Sequence, residues 1–207
     1  MALSDIRSTC FAFLCTVALA APAVSAATIT AGNQGSLADE NIQFREPGLA
    51  STGLIVEGLT NQTDTVFEFE SNETLVNPAS GQARVEAQDG IFNTLVFRPA
   101  DPTVTFTSLV FNINLAGNGT PGATGDATIV AVEVGGEETT ATFTGNAAEG
   151  FFTVKIDSTV PLTSVRFTST FGFQDIAQFR VGGVAVPEPM ALAAATLGLP
   201  LLARRRR

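Results

Sequence analysis

The sequence predicts an all-β protein, a single antiparallel β-sandwich of the jelly-roll type with about ten strands. Three observations support this fold class. Apolar residues alternate with polar ones in several windows, turn-forming Gly, Pro and Asn residues separate the windows, and no long stretch has the periodicity of an amphipathic helix. The expected domain spans residues 27–183, which is long enough to bury one core without disulfides.

Each alternating window predicts a strand with one buried face. The windows are Phe67 and Phe69; Leu95 and Phe97; Leu109, Phe111, Ile113 and Leu115; Val130, Val132 and Val134; Phe152, Val154 and Ile156; and Val165, Phe167 and Phe171. Most of the 16 Phe residues are therefore assigned to the core. Phe151 precedes the face that begins at Phe152 by one residue, so it is predicted to point away from the core.

Composition excludes several classes of function. The 207 residues include 20 acidic and 11 basic side chains, for a net charge of −9, which disfavours binding to nucleic acid because phosphate contacts need a basic surface. The chain has no His, and its two Cys residues lie near the N-terminus. The usual zinc sites, haem ligands and Ser-His or Cys-His catalytic pairs are thus missing, and we expect no metal, no cofactor and no catalytic residue.

The N-terminal segment has the pattern of a secretory signal peptide. A positive charge at Arg7 precedes the apolar run from Cys10 to Ala21, which is too short to cross a bilayer. Small residues then precede an expected cleavage between Ala26 and Ala27. Residues 1–26 are therefore predicted to engage the general secretion machinery and signal peptidase, and their removal leaves a mature chain without cysteine.

The C-terminal segment, residues 184–207, combines three features in a fixed order. Pro187, Glu188 and Pro189 form an extended, rigid motif because proline restricts the backbone and lacks an amide donor. Met190 to Ala203 is an uncharged, apolar stretch that is predicted to form a short transmembrane helix. The chain ends on Arg204, Arg205, Arg206 and Arg207, which the positive-inside rule places in the cytoplasm.

This C-terminal segment resembles a PEP-CTERM sorting signal, the substrate of exosortases. The resemblance implies a Gram-negative, polysaccharide-producing bacterium, in which an exosortase-like membrane protease removes the tail near the Pro-Glu-Pro motif. The protein would be anchored transiently in the inner membrane and then pass to the cell surface or extracellular matrix. The motif and arginines are then processing residues that another enzyme recognises.

Three further candidates have both a structural and a functional interpretation. The loop from Asn114 to Asp126 contains oxygen atoms that could bind calcium, but it has only one carboxylate, whereas calcium sites usually have several. A hairpin connection is therefore the favoured interpretation, and a calcium site is the alternative. For Asp175, a structural hydrogen bond is the favoured interpretation, and a role in binding a metal or a sugar is the alternative. Glu68 and Glu70 share the strand face opposite Phe67 and Phe69, where any solvent-facing strand would place them, although a glycosidase pair also fits that spacing.

These observations favour a secreted or surface-sorted, non-enzymatic protein that binds or organises extracellular polysaccharide. Two alternatives stay open. A carboxylate-based glycan hydrolase would need two acids at glycosidase separation on a concave face. An adhesin or self-assembling surface subunit would need exposed edge strands.

Overall fold

The computed structural model describes residues 27–32, 38–78, 83–116, 123–146 and 150–186. These residues form ten strands and no helix. The strands are β1 (Ala27–Ala31), β2 (Glu40–Phe44), β3 (Thr52–Thr60), β4 (Val66–Val76), β5 (Arg84–Ala87), β6 (Phe92–Pro99), β7 (Phe106–Leu115), β8 (Thr124–Glu133), β9 (Glu138–Asn146) and β10 (Phe152–Gly182). All strand pairs are antiparallel, so the prediction of an all-β, antiparallel fold is confirmed.

β10 is a 31-residue segment that changes partners along its length. Its first part, residues 152–158, pairs with β1 and β7, and its last part, residues 173–182, pairs with the other side of β7. Its middle part, residues 162–169, pairs with β6 and β8. β7 therefore lies between the two ends of β10.

The pairing describes one sheet that folds over into two layers. The front layer consists of β1, β7 and the two end parts of β10, and the back layer consists of β3, β4, β6, β8, β9 and the middle part of β10. β2 and β5 join the layers, because each pairs with the last part of β10 and with a back-layer strand. Among the described strands, β9 pairs with β8 alone and is an edge strand.

Phenylalanine fills the space between the layers. Among the described residues, nine Phe side chains are less than 2% exposed: Phe67, Phe69, Phe92, Phe97, Phe106, Phe111, Phe167, Phe173 and Phe179. Rings from the front layer contact rings from the back layer, with centroids 4.9 Å apart for Phe111 and Phe167 and 4.7 Å apart for Phe179 and Phe69. The assignment of most Phe residues to the core is confirmed.

The prediction for β8 was wrong about which face is buried. Its fully buried residues are Ala127, Ile129 and Ala131, whereas Val134 is 51% exposed. Small residues face inward because the aromatic rings opposite leave little room. At Gly125, on the same inward face, an added Cβ would lie 2.6 Å from the Phe171 side chain, so only glycine fits.

The described residues continue beyond the end of β10 as far as Val186. Thr105 and Ala185 form an isolated antiparallel bridge with two backbone hydrogen bonds of 3.2 and 2.8 Å. The described residues include no helix of the length and hydropathy needed to span a bilayer. The predicted signal peptide, Ala26, the Pro-Glu-Pro motif, the apolar stretch and the four arginines lie outside the described residues.

Candidate functional site

A groove of about 780 Å³ crosses the outer face of the front layer. Strand register determines which residues line it. Asn112 of β7 lies opposite Thr153 on one side and Ala177 on the other, and in the next row Val110 lies opposite Arg180. Arg180 in turn lies opposite Asn41 of β2, so side chains distant in sequence share one surface.

A small amide network forms the floor of this groove. Asn112 is only 5% exposed, its Oδ1 accepts a hydrogen bond of 2.7 Å from Thr153 Oγ1, and its Nδ2 donates to Gln178 Oε1. These bonds hold Asn112 in one orientation. Within the described residues, the Gln178 amide nitrogen has no hydrogen-bond acceptor, so it can donate to a ligand.

A β-bulge places Gln178 in this network. Ala177 lies opposite Asn112 and Arg180 opposite Val110, so two residues, Gln178 and Phe179, occupy the space opposite one residue of β7. Gln178 has a φ of 55°, in the left-handed region, and its backbone N–H donates to Ala83 O at 2.8 Å. The extra residue lets Phe179 enter the core while its neighbours face the groove, which is a common use of bulges beside binding sites.

The groove contains charges of both signs. The guanidinium of Arg180 is exposed, and no ion pair or hydrogen bond in the described part of the chain engages it. Glu46, which follows β2, lines the same groove. The groove is thus polar and locally close to neutral on a chain that is acidic overall.

Phe151 lies where this groove meets a second, smaller pocket. Its side chain is 60% exposed, and it lines both the groove and the adjoining pocket of about 170 Å³. The prediction that Phe151 points away from the core is therefore confirmed. Asn112 also lines both cavities, so they form one continuous surface.

The smaller pocket is lined by one acidic and one basic residue, Asp175 and Arg84. Asp175 lies opposite Glu86 on β5, and Arg84 Nε lies 2.8 Å from Glu86 Oε2. Burial raises the pKa of Asp175, and Glu86 adds to this, whereas a hydrogen bond of 3.3 Å from Asn114 Nδ2 and the charge of Arg84 act in the opposite direction. The predicted structural hydrogen bond of Asp175 is present.

The structure separates the other sequence candidates from this surface. Glu68 and Glu70 lie on the back layer, where one guanidinium, that of Arg98, contacts their carboxylates at 2.8 and 2.6 Å. Both acids therefore pair with one cation, which supports their interpretation as a structural ion-pair cluster on the strand face.

Of the loop from Asn114 to Asp126, the structure describes only the two ends, and neither end supports the calcium interpretation. Asn114 donates to Gln174 and Asp175, and Asp126 accepts a hydrogen bond of 2.6 Å from Thr144. In the described ranges, no group of three or more His, Cys, Asp or Glu side chains is arranged to hold a metal ion.

Most groove residues were missed by the sequence analysis. Asn41, Asn112, Gln178 and Arg180 have no local motif, and they are brought together by the pairing of β10 with β7 and with β2. The single available signal was Phe151, whose position out of phase with its strand indicated an exposed aromatic ring.

Replacing Asp175 with Asn should raise the melting temperature at pH 7. Because the pKa of this carboxyl is above its ordinary value of 3.8, the folded state binds the proton more tightly than the unfolded chain, and stability falls as the pH rises through the raised pKa. The gain of D175N over wild type should shrink as the pH is lowered toward 4. Thermal unfolding from pH 4 to 8 measures this, and a constant or negative difference would contradict it.

Comparisons with known proteins provide no family for this chain. No protein-family model matches the sequence, and no curated protein matches it. A solved structure of a mutant family 29 carbohydrate-binding module is similar over 76% of this chain and 89% of that chain, with 12% identity and a TM-score of 0.30. A superposition at that level does not establish a common fold, so the groove is interpreted from its own residues.

Proposed function

We propose that the groove on the front layer binds an extracellular polysaccharide and that the protein is a non-enzymatic component of a polysaccharide matrix. The observation that carries this proposal is the exposed ring of Phe151 beside an ordered amide network on a sheet face. An aromatic ring offers a flat apolar surface to the C–H face of a sugar ring, and neighbouring amides offer both donors and acceptors to its hydroxyls.

The rigidity of the site favours binding. Asn112 lies on the central strand of the front layer, and its orientation is held by Thr153 and Gln178. A ligand that meets preorganised polar groups loses less free energy to the ordering of side chains than one that meets flexible loops. An open groove also suits a polymer chain better than an enclosed cavity does, because the chain can continue past either end.

Charge favours a neutral glycan over an anionic one. Between residues 27 and 186 the chain has 18 acidic and six basic residues, so its overall field repels polyanions. Within the groove, Arg180 and Glu46 have opposite charges. We therefore expect the groove to bind glycans through hydrogen bonds to hydroxyls and through ring stacking. The affinity should depend only weakly on salt concentration.

Replacing Phe151 with Ala should weaken binding to the host's polysaccharide about tenfold or more, because loss of one stacking ring costs about 0.5–1.5 kcal/mol beyond the lost apolar area. The melting temperature should change little, since the ring is exposed. Titration of the exported protein with oligosaccharides from that polymer, followed by calorimetry, measures the affinity.

Leu54 provides a matched control. It is an apolar side chain, 56% exposed, on β3 of the back layer, so L54A should bind as wild type does. Equal affinity of F151A and wild type would exclude the groove as the site. New reducing ends during the incubation would instead favour the hydrolase alternative, for which Glu46 in the groove and Asp175 in the adjoining pocket are candidate carboxylates.

We further propose that the protein reaches the matrix through C-terminal processing by an exosortase-like protease. The support is the order of features in the sequence: Pro187, Glu188 and Pro189, an apolar stretch, and a terminal arginine cluster. Removal of this segment would release a domain whose net charge keeps it soluble.

Changing Pro187, Glu188 and Pro189 together to Ala should leave the full-length tail on a membrane-retained protein. Intact mass in the membrane and medium fractions of the native host measures this, because cleavage near the motif removes about 2 kDa (from roughly 110 Da per residue). Val134→Ala, an exposed side chain outside residues 184–207, is the control and should be released normally. Release of the triple variant at wild-type levels would exclude the motif as the processing signal.

A further inference from the structure

A buried carboxylate lies at the beginning of the first strand. Glu133 ends β8 on its inward face and is 3% exposed, and Ala27, the first residue of β1, is 8% exposed. An acid on a core-facing position is costly unless a strong donor or a cation compensates the charge. Donors from β1 and β10 reach this carboxylate.

The backbone nitrogen of Ala27 contacts this carboxylate directly. It lies 2.7 Å from Glu133 Oε1, and the same oxygen accepts a hydrogen bond of 3.1 Å from Ser158 Oγ. Ala27 lies opposite Ser158 in the pairing of β1 with β10, so strand register fixes all three groups. Thr139 Oγ1 donates to the Ala27 carbonyl at 3.5 Å, which adds a contact from β9.

The sequence independently assigns a special role to the same nitrogen. Small residues before Ala27 predict that signal peptidase hydrolyses the Ala26–Ala27 bond. Water adds across that bond, the carboxylate leaves with Ala26, and Ala27 N changes from an amide N–H into an α-ammonium group. An α-amino group has an ordinary pKa of about 7.7–8.0, so it is mostly charged at neutral pH.

We propose that Glu133 is the buried counter-ion of the mature N-terminus, so that signal-peptide cleavage completes an ion pair inside the fold. In the precursor the contact is a hydrogen bond from a neutral amide. In the mature chain it joins an ammonium to a carboxylate that is 3% exposed, and attraction between charges is stronger near such a site than at the open surface. The exported domain is therefore stabilised by its own processing, while the precursor stays less stable before export.

The inference rests on the predicted cleavage site and is independent of the groove. It also accounts for an acid at a position where the neighbouring inward residues of β8, Ala127, Ile129 and Ala131, are apolar. A sequence with no need for a counter-ion would be more stable with an apolar residue there, because an isolated buried charge is penalised strongly.

The test compares four exported proteins, each expressed with its signal peptide: wild type, E133Q, a wild-type chain with three residues inserted directly after Ala26, and the same insertion with E133Q. In the inserted forms Ala27 N remains an amide. E133Q should lower the melting temperature of the mature form by roughly 5 °C or more, because it leaves a buried ammonium without its counter-ion. It should have a much smaller effect on the inserted form.

Ser158→Ala is the matched control. It removes a hydroxyl donor to the same oxygen without changing charge, so it should lower the melting temperature by similar amounts in both forms. An equal effect of E133Q in both forms would overturn the proposal, as would a mature chain whose mass shows that it does not begin at Ala27.

Amine labelling provides a second readout that does not depend on a substitution at Glu133. The sequence has one lysine, Lys155, so a chain that begins at Ala27 has two primary amines, which mass spectrometry separates by peptide. The α-amine of the mature form should react with an acylating reagent at least tenfold more slowly than that of the inserted form. Equal reaction rates would also overturn the proposal.

Discussion

The position of β7 between the two ends of β10 is the constraint on which the rest of the structure depends. Residues 152–157 pair with one side of β7 and residues 173–182 with the other, so both strand edges are occupied. One face of β7 contributes Leu109, Phe111 and Ile113 to the core, and all three are fully buried. The opposite face provides Val110, Asn112 and Asn114 to the proposed binding surface.

This arrangement couples the stability of the core to the geometry of the groove. The bulge at Gln178 lets Phe179 pack against Phe69 and Phe97, and the same bulge directs Gln178 to the amide of Asn112. The binding groups are therefore positioned by backbone pairing and by buried aromatic rings. Sites on such rigid elements are more precise than sites on loops, at a cost in adaptability.

The sequence predicts a structural feature well where neighbouring residues in the chain determine that feature. Alternation over a few residues was enough to identify strands β4, β6 and β7 and to place Phe151 outside the core. It was not enough for β8, where Val130 and Val132 suggested the wrong buried face, because the choice depends on the space left by distant Phe rings.

The groove was beyond sequence reasoning for the same reason. Asn41, Asn112 and Arg180 become neighbours only through long-range strand register. Gln178 has a positive φ, which glutamine seldom adopts, so the residue type does not predict this backbone conformation. By contrast, the proposed sorting and cleavage signals are local sequence patterns, so they could be inferred without knowledge of long-range register.

Ligand binding at the groove is tested most directly by an NMR titration of the protein with fragments of its host's polysaccharide, followed through the side-chain amide signals of Asn112 and Gln178. The account predicts that these signals and the ring signals of Phe151 shift together and saturate, while the signals of Asn72 on the back layer stay unchanged. Saturable binding that leaves the Asn112 and Gln178 signals in place, or shifts confined to the back layer, would contradict it.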